Sequence, residues 1–156
     1  MAKDPTKRPS GPRLTNKKAR FDFEILEKVE AGIALLGTEV KSLRLGNASL
    51  NEAYARVDGD QVRLINFQIL PYEQAGRFNH EPKRPKQLLL HRREINKLAS
   101  KVRIRGQTLV PLCVYFNNHG KAKVELALAR GRTHADKRDV ERKREDLREI
   151  RKAERR

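Results

Sequence analysis

The 156 residues include no tryptophan, one methionine, one cysteine, three tyrosines and five phenylalanines. A single cysteine rules out an internal disulfide and fits a reducing compartment. Cys113 lies in the apolar run Val110-Pro111-Leu112-Cys113-Val114, where a small buried thiol is expected. No apolar run approaches the ~20 residues of a membrane span. The stretch Met1 to Arg13 lacks the apolar segment of a secretory signal. The expectation is a soluble cytoplasmic protein, monomeric, without a membrane partner.

Catalytic motifs are missing too. His80, His91, His119 and His134 stand at no metal-ligand spacing from one another or from Cys113. The segment Gly32 to Thr38 imitates the glycine spacing of a phosphate loop. It lacks the lysine, and Glu39 follows where Ser or Thr belongs. There is no nucleophile elbow. Asn47-Ala48-Ser49 matches a glycosylation acceptor by coincidence. These observations argue against an enzyme and call for no cofactor or metal.

What the chain has is positive charge, +16 in net, and it is unevenly placed. Residues 1–20 hold 7 bases against 1 acid, and residues 130–156 hold 12 against 7. The long middle keeps 17 against 12. An excess gathered at the ends seeks a polyanion and does little for folding. Further basic clusters are Lys83-Arg84-Lys86, Arg92-Arg93 and Arg103-Arg105. With so few aromatics, binding should read RNA shape and backbone more than base sequence. Phe21, Phe23, Phe67 and Phe116 read as core, which leaves Tyr72, Phe78 and His134 as stacking surfaces.

Three segments follow from composition and periodicity. Residues 1–19 are rich in Pro, Gly, Ser and Lys and are expected to be disordered alone. Residues 20–132 form a barrel domain. From Phe21 the pattern alternates as a strand and continues through Val29–Leu36, with Gly32 as a bulge. Thr38–Gly46 reads as a short helix capped by Thr38. Asp58-Gly59-Asp60 joins a hairpin within 52–67, and Asn117-Asn118-His119-Gly120 joins a second, Thr108–Phe116 with Lys121–Ala129. Helical spacing runs through Ile95, Leu98 and Val102. About six strands with two or three helices predict a mainly β fold, a small closed antiparallel OB-like barrel. Residues 133–156 offer the pairs Asp139/Lys143, Glu145/Arg148 and Glu149/Lys152, but only a thin stripe of Val140, Leu147, Ile150 and Ala153. That tail reads as a marginal helix formed on binding. Composition alone fits a ribosomal or ribosome-assembly protein whose basic tails enter rRNA.

Three stretches narrow this. Asn16-Lys17-Lys18-Ala19-Arg20, Glu30-Ala31-Gly32-Ile33 and Gly37-Thr38-Glu39-Val40-Lys41-Ser42-Leu43-Arg44 resemble the signature of the small protein B family, the tmRNA-binding (SsrA-binding) proteins of bacterial trans-translation. Leu88-Leu89-Leu90-His91, Gly131-Arg132 and Asp136-Lys137-Arg138 match further along, so the likeness spans about 14–145. Ala135 stands where the family often has an aromatic residue or His. The resemblance implies an OB-like barrel that binds the tRNA-like domain of tmRNA and brings it to stalled ribosomes. It implies an RNA-facing set of Asn16, Lys17, Arg20, Glu30, Lys41, Arg44, Leu89 and Lys123. It also implies that a tail carrying Arg132, His134, Asp136, Lys137, Arg138, Arg142 and Lys143 meets 16S rRNA at the decoding centre and enters the empty mRNA channel.

Overall fold

Turn chemistry and alternation build the two hairpins, and two further strands between them complete the ring. The computed structural model describes residues 11–155, except the side chain of His134. In chain order the elements are β1 (Leu14–Thr15), α1 (Lys17–Asp22), β2 (Phe23–Ile33), α2 (Gly37–Arg44), β3 (Ala48–Ser49), β4 (Tyr54–Asp58), β5 (Gln61–Ile65) and β6 (Gln68–Ile69). After a 3-10 turn over Glu73–Phe78 come β7 (Lys86–Leu89), α3 (Arg92–Val102), β8 (Gln107–Phe116), β9 (Ala122–Gly131) and α4 (His134–Glu154). The strands pair in the order β8-β4-β5-β7-β2-β9, and β9 returns to β8. All these pairings are antiparallel. This six-stranded ring is the OB-like barrel expected from the sequence. Closure removes the exposed edges that an open sheet would present.

Alternate residues fill the interior. Val62, Leu64, Leu88, Val124, Leu126, Leu109 and Phe116 are buried there, and Ile95 and Leu98 of α3 join the same core. Each such side chain contributes about 1.5–3 kcal/mol by leaving water. A second, smaller core lies outside the barrel. There Val110, Leu112, Ala127 and Ala129 of β8 and β9 meet Ala19 of α1, with Phe23 and Ile25 packed alongside.

Several local expectations are corrected. Order begins well before residue 20, because Asn16 anchors the chain. Its amide nitrogen donates to the carbonyls of Leu50 (3.2 Å) and Pro111 (3.0 Å), while its Oδ1 caps α1 by accepting from the Ala19 N–H at 3.1 Å. Residues 1–10 lie outside the described residues. Phe21 belongs to α1, so β2 starts only at Phe23, and it stops at Ile33 rather than Leu36. The bulge in β2 falls between Ile25 and Glu27, not at Gly32. Helix α2 is not capped by Thr38. Glu39 reaches back to the Leu36 N–H at 2.8 Å, and the Thr38 hydroxyl bonds His80 Nδ1 at 2.9 Å.

The tail carries helix α4, over 134–154. The Thr133 hydroxyl accepts from the Asp136 N–H at 3.3 Å, and the Asp136 carboxylate accepts from the Thr133 N–H at 3.2 Å. This reciprocal cap satisfies two orphan donors of the first turn. Among the described residues, the bonds and ring contacts of the helix with the barrel domain come from its N-terminal half. Lys137 pairs with Asp22 at 3.2 Å, and Lys137 and Arg144 lie over the Phe21 ring at 5.9 and 5.8 Å. Among the described residues this is the one ion pair of α4, and the three pairs expected along the helix are not within bonding distance.

Candidate RNA-binding surface

Register places a row of outward-facing residues across four strands. Leu89 of β7 pairs with Gly32 of β2, Gly32 with Lys123 of β9, and Lys123 with Tyr115 of β8. Gly32 lets Leu89 lie across the sheet, since a Cβ there would come within 3.1 Å of the Leu89 Cβ. Leu89 is thereby held 54% exposed. A cleft of about 330 Å³ opens here, lined by Gly32, Val40, Leu89, Phe116, Lys121 and Lys123 among others. Arg44 borders it, with its guanidinium 4.4 Å from the Phe116 ring centre and donating to the Gly120 carbonyl at 3.2 Å.

Glu30 lies two residues before Gly32 on the same face of β2. Its carboxylate accepts from the Tyr115 hydroxyl. Burial first, and then this bond, push the Tyr115 phenol well above its ordinary range. Glu125 stands directly opposite Glu30 in the strand pairing. Lys28 (3.5 Å) and Arg13 (3.6 Å) hold Glu125 and offset the like charge. Arg13 also lies 5.3 Å from the Tyr115 ring centre and donates to the sulfur of Cys113 at 3.3 Å. Cys113 is buried as expected, and burial raises its thiol pKa.

The structure thus gathers Glu30, Leu89, Lys123 and Arg44 on one face. Lys41 sits on α2, its ammonium 5.5 Å from the Tyr72 ring. Lys17 and Arg20 ride on α1, which packs on β8 and meets α4. Arg20 and Arg132 each have Nε shielded from water without a hydrogen-bond partner. Asn16 is 1% exposed, and its fully engaged carboxamide holds α1 in place. In the tail set, Asp136 bonds back to the capping residue Thr133 and Lys137 pairs with Asp22. Hydrogen bonds from Thr133 hold the Asp136 carboxyl below its usual range. Arg138, Arg142 and Lys143 are exposed.

The cluster Lys83-Arg84-Lys86 is corrected as a basic surface. Lys86 and Glu39 are both fully buried. The Lys86 ammonium donates to the carbonyls of Phe67 (2.5 Å) and Pro82 (3.3 Å), and lies 3.7 Å from Glu39. Arg84 pairs with Glu39 at 2.6 Å. Two of the three cations are therefore committed inside the fold. Phe67 and Phe116 are core as expected, whereas Phe21 and Phe23 are half-buried. Tyr115 and Arg13 were not singled out from sequence. Tyr115 was legible, because it stands between the inward-facing Val114 and Phe116 of β8.

A closed, basic β-barrel with an outward-facing Leu-Lys-Tyr row defines a nucleic-acid-binding module of the OB type. The comparisons give the family. The family model described as SmpB protein matches residues 13–156. An SsrA-binding protein of Rhizorhabdus wittichii is 55% identical over 134 residues, 86% of this chain and 84% of the relative. One from Carboxydothermus hydrogenoformans is 55% identical over 138 residues, 88% and 92% of the two chains. A chain in the solved structure "tmRNA-SmpB: a journey to the center of the bacterial ribosome" is 47% identical with a TM-score of 0.69, covering 85% of this chain and 96% of its own. The chain belongs to the SmpB family.

Proposed function

We propose that this chain is an RNA-binding adaptor of trans-translation: it binds the tRNA-like domain of tmRNA and delivers it to stalled ribosomes in the bacterial cytoplasm. Family membership over almost the whole chain carries this reading. The barrel face with Glu30, Leu89 and Lys123 takes the RNA, helped by Arg20 and Lys17 on α1 and by Lys41 and Arg44 on α2. Lysines and arginines neutralise phosphates with little sequence preference. Glu30 repels phosphate, so its carboxylate accepts from a 2′-hydroxyl or a base edge, in an orientation held by Tyr115. Leu89 packs on an exposed base or sugar.

Helix α4 enters the vacant mRNA channel by the decoding centre, where Arg138, Arg142 and Lys143 meet 16S rRNA. Support comes from the thinness of its intramolecular attachment: beyond Arg144 no side chain of the described helix bonds the barrel. mRNA and helix cannot share one channel, so an empty channel becomes the condition for rescue. The barrel activity is tested by titrating the chain with a tRNA-like tmRNA transcript at several salt concentrations. Affinity should fall steeply with salt, and unchanged affinity would contradict the phosphate argument. Washing ribosomes at high salt separates this adaptor from an integral ribosomal protein, which stays bound in stoichiometric amount.

A further inference from the structure

The most exposed large apolar side chain among the described residues is Phe78, at 78% exposure, and it stands on a loop built to be rigid. Both feet of that loop are pinned. On one side the Ile69 N–H donates to the Pro82 carbonyl at 2.9 Å, and the buried His80 bridges the Ile69 carbonyl and the Thr38 hydroxyl, each at 2.9 Å. On the other, Asn79 closes the loop onto Tyr72. Its Oδ1 accepts from the Tyr72 N–H at 2.8 Å, and its Nδ2 donates to the carbonyls of Tyr72 (2.7 Å) and Gly76 (3.2 Å). The turn between them uses Gly76 at φ 56°, ψ −126°, a backbone setting that suits glycine.

Phe78 is thus held in water between Arg77 and two anchored residues, although an apolar side chain gains by leaving water. Each ring of the loop has a cation over it. Arg77 lies 5.3 Å from the Phe78 ring centre and Lys41 5.5 Å from that of Tyr72. Lys41 belongs to the same helix as Arg44, which borders the Leu89–Lys123 cleft, so α2 links the loop to the RNA-binding face. An exposed aromatic ring on an anchored loop, with a guanidinium beside it, is an arrangement that stacks an unpaired nucleobase while its phosphate meets the cation. A protein partner would also cover an exposed ring, but the two flanking cations favour a polyanion.

From this geometry we infer that the Tyr72–Asn79 loop is a base-stacking site, in which Phe78 and Arg77 take an unpaired nucleobase of RNA. The inference rests on the proposed RNA-binding function and adds a site to it. The nucleobase comes either from the tRNA-like RNA or from the ribosome, and two arms distinguish these sources. The chain has no tryptophan, so Phe78→Trp installs a sole indole at an exposed position. In the first arm, the tRNA-like transcript quenches that indole. Phe78→Ala then weakens binding by about 5- to 150-fold, Phe78→Leu weakens it similarly, and Phe78→Tyr retains it. In the second arm, a photoreactive benzoylphenylalanine at position 78 of the full chain, bound to ribosomes, yields an RNase-sensitive adduct. Either result supports the site and names its source. Absence of both, or an adduct to protein alone, overturns it. Failure of the unaltered chain to bind the transcript would instead count against the proposed function.

Discussion

The barrel and the tail helix are both basic, yet their charges do opposite work. In the barrel domain many cations are matched by acids: Lys86 is fully buried against Glu39 and two carbonyls, Arg84 and Lys101 form partly buried pairs, and the exposed Lys28 and Arg13 share Glu125. In α4 the arginines are exposed, and among the described residues one ion pair at Lys137, with Lys137 and Arg144 over the Phe21 ring, ties the helix down. Net charge therefore says where a polyanion is sought, but only burial says which cations remain available to it.

The sharpest way to break this contrast is to damage each half and watch folding. Glu39→Gln leaves the Lys86 ammonium buried without its carboxylate. The barrel should lose about 3–5 kcal/mol of stability by denaturant titration. Deleting residues 134–156 should leave the same titration unchanged, because no core residue belongs to α4.

Alkaline pH sharpens the same comparison. Burial outweighs Glu39 and lowers the Lys86 pKa from 10.5 to about 8. At Lys86 the unfolded chain holds one more proton than the folded chain between about pH 8 and 10.5, so the contribution of this group to stability rises with pH across that window, opposed above pH 9 by the raised Cys113 thiol. The contribution of Lys86 to that rise should be on the order of 3 kcal/mol. Above pH 10 the raised Tyr115 pKa works the other way, since the folded phenol keeps a proton that the unfolded one loses. Thermal melts of the parent and of Lys86→Met check this, and the variant should lack the rise.

Smaller effects belong to the tail. Thr133→Ala removes the cap of α4 and should cost that helix about 1 kcal/mol, seen as lower ellipticity at 222 nm, with barrel melting unaffected. Asp22→Asn removes the partner of Lys137. This half-exposed pair is worth roughly 0–1 kcal/mol, so the change should appear only as faster amide exchange in the first turns of α4, fading as salt is added to the parent.

Local signals carried most of the barrel. Asp58-Gly59-Asp60 between alternating runs, and the spacing of Ile95, Leu98 and Val102, each specify their element without help from afar. Expectation failed where a distant partner decides. Asn16 orders a Pro- and Lys-rich segment only because the Leu50 and Pro111 carbonyls are waiting for it. Lys86 leaves water only because Glu39, far off in sequence, meets it. In the tail, Thr133 and Asp136 stand at capping-box spacing, a local signal for the helix start, beside an apolar stripe too thin to dock the helix firmly. At the site, Leu89 and Lys123 became neighbours through register across Gly32, which no short-range pattern encodes.

The division of labour between barrel and tail is tested most directly by one paired measurement on the chain ending at residue 133. Its affinity for the tRNA-like transcript and its rescue of ribosomes halted on an mRNA without a stop codon are compared with those of the full chain. The account predicts RNA affinity within a few-fold of the parent and rescue lost. RNA binding lost with the tail, or rescue retained without it, would contradict the account.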